Sequence, residues 1–142
     1  MSFEHLVMAA VAENKETRHR FGDRFNGMSD TAYAIEFCTV ALSIGRGTGK
    51  TKYILNNAKP WDLVIVPTHP MLQYMRRGER PGIGCPTMTI SEYVNTAHWR
   101  GQKLHTPRVI YIDEASRISR RELDELYMVV PKHPDQTFIL LG

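Results

Sequence analysis

Four near-continuous apolar runs punctuate the chain: FCTVALSI (37–44), WDLVIVPT (61–68), RVIYIDEA (108–115) and TFILLG (137–142). They are rich in β-branched and aliphatic residues and do not alternate with polar ones, the pattern of strands buried on both faces. A shorter strand is expected at the start of TMTISEYVNTAHW (87–99), passing into a helix capped by Thr89 or Ser91. Between the runs the period changes to that of helices. Phe3, Leu6, Val7 and Ala10 share one helical face, which predicts a short amphipathic helix at the start. FGDRFNGMSD (21–30) reads as a loop, after which Ser29 or Asp30 caps a short helix over TAYAIEF. KTKYILNNA (50–58) continues as a helix, with Pro60 beyond its end, and PMLQYMRRGER (70–80) supplies one or two helical turns before the loop PGIGCP. Ser119 and Glu122 have the spacing of a capping box, so a helix runs over RRELDELYMVV until Pro131.

Buried strands that alternate with helices predict an α/β domain, a parallel sheet flanked by helices on both faces. A length of 142 residues suits one domain of this kind. Residues 1–36 read as an N-terminal helical extension and residues 37–142 as the domain itself.

Composition narrows the class. Hydrophobic residues make up 42% and charged residues 23%, as in soluble globular proteins. The apolar runs are too short for a membrane helix, and the N-terminus does not read as a secretory signal, so a cytoplasmic setting is expected. Cys38 and Cys85 are far apart, which argues against a disulfide framework and a zinc site and for two reduced thiols. A net charge of +3 is compatible with nucleic-acid contact without requiring it.

Candidate chemistry begins at IGRGTGKT (44–51). Gly45, Gly47 and Gly49 fall between a predicted strand and a predicted helix. Glycines there let backbone N–H groups approach an anion, and the helix dipole points its positive end at the same place. Gly45, Arg46, Gly47, Thr48 and Gly49 would cradle a triphosphate, Lys50 would reach the β- and γ-phosphates, and the Thr51 hydroxyl would ligate Mg²⁺. The fit to G-x-x-x-x-G-K-[ST] departs at the first glycine, which arrives one place late at Gly45. A plain glycine-rich turn is the bland alternative, but it has no need of Lys-Thr in that register.

The second half of a nucleotide site is Asp113 and Glu114, adjacent carboxylates at the end of a buried strand, the edge where parallel sheets bind ligands. Two acids there repel each other and resist desolvation unless a cation offsets them. Asp113 is the candidate Mg²⁺ ligand, and Glu114 the candidate base that orients the attacking water.

GRGTGKT, LVIVPTHPML, VIYIDEAS and TFILLG occur in the order of motifs I, Ia, II and III of superfamily 1 and 2 helicases. The chain from about Thr39 to Gly142 resembles the first RecA-like domain of superfamily 1 enzymes. The resemblance implies a RecA-like P-loop core that binds ATP and Mg²⁺ and acts on or with nucleic acid, single-stranded DNA or RNA. It implies that Pro67 and Thr68, the match to motif Ia, lie near the strand. Unwinding in that family needs a second RecA-like domain and an arginine finger, so helicase activity of this chain alone is not expected. A partner chain or self-association would supply the finger. Large terminases of viruses, which often carry an arginine in such a loop as Arg46 does, are a second resemblance.

Arg76 and Arg77, with Arg80, form a basic cluster suited to phosphate-backbone contact or to simple solvation. Arg117, Arg120 and Arg121 are expected to share a solvated helix face, and Trp61 to pack at the start of its strand. Three functions follow: a Mg-dependent triphosphatase with a helicase-like core, a nucleotide-binding regulatory or assembly module with little turnover, and a small nucleotide kinase. The acidic motif is not the usual one of the last class.

Overall fold

The computed structural model describes residues 2–21, 27–43, 49–77, 85–99 and 105–142. In chain order the elements are α1 (Phe3–Phe21), α2 (Asp30–Phe37), β1 (Thr39–Leu42), α3 (Lys50–Asn57), β2 (Leu63–Val66), α4 (His69–Arg77), β3 (Thr87–Thr89), α5 (Ile90–Trp99), β4 (Val109–Asp113), a 3-10 turn (Ala115–Arg117), α6 (Arg120–Val129) and β5 (Thr137–Leu141). The five strands form one parallel sheet in the order β1-β5-β4-β2-β3. The predicted α/β architecture with a helix-flanked parallel sheet is therefore observed.

Strand side chains alternate between two faces, and each face has its own core. Leu63, Ile65, Ile110, Ile112 and Phe138 point to one side, where Ala34 of α2, Ile90 and Tyr93 of α5, and Leu126 and Tyr127 of α6 cover them. Val64, Val66, Tyr111, Ile139 and Leu141 point to the other, beneath Val7 of α1, Ile54 of α3, and Leu72 and Met75 of α4. Both faces are apolar because both are covered, which is why the sequence shows unbroken runs.

The starting helix is longer than its apolar face predicts, 19 residues, and its buried stripe is rotated. Val7 is fully buried and packs with Phe3 and Val11, whereas Leu6 is 36% exposed. A contact that hydrophobic periodicity does not encode accompanies this packing. The far end of α1 is fixed by Arg18, whose Nη1 donates to the Gln136 carbonyl at 2.9 Å and whose Nη2 donates to Thr137 Oγ1 at 3.1 Å. Trp61, expected to pack, is 55% exposed, because β2 begins two residues later at Leu63. Its neighbour Asp62 is buried instead and ties two strand entrances together. Its carboxylate accepts from Lys59 N at 2.8 Å and from Val109 N at 3.2 Å. Burial pushes the Asp62 carboxyl upward, and those two N–H groups oppose the shift.

Of the alternative caps, Ser29 and Thr89 are used: each hydroxyl accepts an N–H of the first turn, Ala32 at 3.1 Å and Glu92 at 3.2 Å. The Ser119–Glu122 capping box is present in both directions. Cys38 is buried, Cys85 is half-buried, and both are free. Among the described residues no helix is long and apolar enough to cross a membrane.

Candidate active site

A parallel sheet brings all its strand exits to one edge. Register fixes the height of each exit: Leu42 of β1 pairs with Leu141 of β5, which pairs with Asp113 of β4. The segment that leaves β1 toward α3 therefore starts level with the Asp113 carboxylate, with one strand between them. Two strand spacings are about 10 Å, a gap that long side chains close from both sides.

They do close it. Thr51 Oγ1, in the first turn of α3, donates to Asp113 Oδ2 at 2.7 Å. Lys50 Nζ lies 3.6 Å from Glu114 Oε1. Lys50 is only 5% exposed and Asp113 is fully buried, so each charge depends on its neighbours. The other Asp113 oxygen accepts from Glu114 N at 2.9 Å. Burial raises the Asp113 carboxyl above its ordinary value, and the negative charge of Glu114 adds to this. The Thr51 hydroxyl, the Glu114 N–H and the Lys50 ammonium pull the other way.

Two backbone conformations aim these groups. Gly49 ends the approach to α3 in the left-handed region, φ 86° and ψ 22°, and serves as its N-cap. Glu114 is also left-handed, φ 50° and ψ 45°, and is the single non-glycine residue with positive φ among the described residues. That conformation costs a residue with a Cβ roughly 1–2 kcal/mol, and strain of this kind gathers at functional sites. Here it turns the chain sharply out of β4, so that Glu114 faces Lys50.

The start of α3 differs from the other helix starts. Ser2, Ser29, Thr68, Thr89 and Ser119 each cap a helix by accepting a first-turn N–H on the hydroxyl. Gly49 has no side chain for this, and the first turn of α3 carries no acid. Among the described residues no side chain caps its leading N–H groups at the positive dipole end.

Of the predicted site residues, the structure brings Lys50, Thr51, Asp113 and Glu114 together beside Gly49. Gly45, Arg46, Gly47, Thr48 and Arg80 lie outside the described residues. Pro67 and Thr68 stand at the exit of β2 on the same edge. Thr68 Oγ1 is engaged as the α4 cap, accepting from Met71 N at 3.4 Å. Pro67 walls a cleft of about 330 Å³ between the exits of β2 and β3 and the start of α6. Arg76 and Arg77 fall in the last turn of α4. Arg117 does not share the α6 face with Arg120 and Arg121; it lies in the 3-10 turn, with Nη1 3.9 Å from Met71 Sδ. Exposed Trp61 is at the opposite edge, where β2 begins.

Sequence reasoning passed over Arg18, Asp62 and Gln136, which fix the amino ends of the strands. Asp62 alone carried a signal, a carboxylate directly before a buried strand. No protein-family model matches this chain, and a search of curated proteins finds no match to it.

Proposed function

We propose that this chain is a Mg-dependent nucleoside triphosphatase built on a RecA-like P-loop core of the helicase kind, acting on or with nucleic acid. The observation that carries the reading is the convergence of Lys50 and Thr51 with Asp113 and Glu114 at the start of α3, which no side chain caps among the described residues. Sheet topology alone brings the two exits to one edge, but a plain turn and a solvated acidic strand end would not bury Lys50 and Asp113 or pair them with Glu114 and Thr51.

The donor set suits the metal. A hydroxyl and a carboxylate, both hard oxygen donors, stand within hydrogen-bond distance of each other, and Mg²⁺ sites take few protein ligands, with phosphates and waters completing the shell. Thr51 and Asp113 would hold the ion, which when bound neutralises charge across the β- and γ-phosphate oxygens. Lys50 is a compact point charge for the same oxygens. The first N–H groups of α3 bind the phosphate chain through its dipole end. Glu114 positions the attacking water and takes its proton as the water oxygen bonds to the γ-phosphorus and the bond from that phosphorus to the β–γ bridging oxygen breaks, giving nucleoside diphosphate and phosphate. Without substrate, Lys50 and Glu114 balance each other's charge. Phosphate binding to Lys50 leaves Glu114 free for water.

Phosphate release from MgATP, with and without single-stranded DNA or RNA, tests this. Lys50→Ala lowers turnover by about a hundredfold or more. Glu114→Gln retains ATP binding and loses hydrolysis by a similar factor. The reading fails if both variants turn over like the parent. A nucleotide-binding module with little turnover is the second reading, favoured by the Lys50–Glu114 pair, which engages the proposed base at rest. Tight ATP binding with negligible release by the parent chain selects it.

A further inference from the structure

The sheet has two outer strands, β1 and β3. β3 is three residues long, whereas β1 has four and carries neither a charge nor a proline, two of the devices that keep an open edge from pairing. The inner side of β1 is satisfied by β5: Cys38 O accepts from Phe138 N and Leu42 O from Gly142 N, each at 2.8 Å. Alternation along the strand then turns the N–H and C=O of Thr39 and Ala41 outward, away from β5. These outward groups have no backbone partner among the described residues.

A groove lies beside the start of that edge. Its volume is about 310 Å³, and it runs between Ala10, Glu13, Asn14 and Thr17 of α1 and Thr39 and Val40 of β1, with the end of α2 as a further wall. The four α1 residues are spaced i, i+3, i+4 and i+7, so one face of that helix looks onto the strand edge. Farther along, both faces of β1 are thinly covered. Ala41, beside Leu140, is exposed, and Leu42 is half-buried although its neighbour Leu141 is fully buried.

Glu13 and Glu36 are exposed on opposite walls of the groove and make no ion pair among the described residues. Two unanswered carboxylates repel a nucleic-acid strand and favour a cation. Outward backbone groups call for another backbone, the thin cover calls for apolar side chains, and the acidic walls call for a positive charge.

We propose that the β1 edge binds an extended segment of a partner protein, which lengthens the sheet by one strand. The N–H and C=O groups of the segment pair with those of Thr39 and Ala41. Its apolar side chains lie beside Ala41 and Leu42 on the two faces, and a Lys or Arg at one end meets Glu13 and Glu36. The inference does not depend on what the carboxylate edge binds.

The test uses the full chain and a fluorescein-labelled octapeptide of alternating valine and threonine with one terminal arginine, with binding read by anisotropy. N-methylation of the peptide at every residue removes its donors and weakens binding by about tenfold or more. Ala41→Pro weakens it comparably, since proline removes an outward N–H and spares the bonds to β5. The pair Glu13→Lys and Glu36→Lys, at exposed positions, weakens binding by about threefold, and a peptide ending in glutamate instead of arginine recovers it. No binding by the parent chain, or equal binding of the methylated and unmethylated peptides, overturns the proposal. Sedimentation of the chain without peptide checks the remaining occupant: a dimer that Ala41→Pro converts to monomer also overturns it, by assigning the edge to a second copy. If Ala41→Pro does not fold, the peptide comparison decides on the parent chain alone.

Discussion

The hydroxyl of Thr51 donates to Oδ2 of Asp113 across 2.7 Å, although 62 residues separate them in the chain. With the N–H of Glu114 on Oδ1, it gives a fully buried carboxylate one donor on each oxygen. Two donors and a nearby ammonium do not fully offset burial and the adjacent acid, since the Asp113 carboxyl stays raised. The site holds a carboxylate whose negative charge its neighbours do not fully offset, which the proposed cation would relieve.

Stability then depends on pH through Asp113. Its folded value lies above its unfolded one, so the protonated form is favoured by folding. The cost is absent below the ordinary aspartate range, about 3.9, and grows as pH rises through the raised folded value. Asp113→Asn is expected to raise stability at pH 8 by about 1 kcal/mol, roughly 3 °C in Tm, with the gain shrinking as pH falls. Thermal unfolding of parent and variant across pH measures this. An Asn variant less stable than the parent at every pH would contradict it.

Glu114 holds a backbone conformation suited to glycine. Glu114→Ala and Glu114→Gly both remove the carboxylate, so a comparison between them isolates the backbone. Glycine is expected to be the more stable by about 1 kcal/mol, read from denaturant midpoints at unchanged slope. Equal midpoints would mean that the turn after β4 carries no strain.

Arg18 joins α1 to the start of β5 through two hydrogen bonds and touches Cys38 Sγ at 3.5 Å. Removing it strands a buried carbonyl and exposes the Cys38 thiol, whose pKa burial currently raises, with Arg18 opposing that rise. Arg18→Ala is expected to cost about 2–3 kcal/mol and to speed labelling of Cys38 by a thiol reagent. Labelling at the parent's rate with full stability would show that α1 is held by Val7 and its neighbours alone.

The sequence by itself determined the elements and their packing sense. Buried runs such as LVIV and VIYID have no polar face, so they form strands covered on both sides, and Ser119 with Glu122 marks a helix start by local bonding alone. Lys50, Thr51, Asp113 and Glu114 were legible as candidate site residues because strand–glycine–helix and strand–acid patterns are short-range. Only the tertiary structure decided that β5 lies between β1 and β4, that Leu42, Leu141 and Asp113 share one level, and that Glu114 turns left-handed to face Lys50. It also decided that Val7 rather than Leu6 is buried under α1, that Arg18 bonds to the start of β5, and that Trp61 stays in solvent while Asp62 is buried. These follow from pairings between distant segments, whose free energies depend on which strands and side chains meet, and no local period or spacing carries that information.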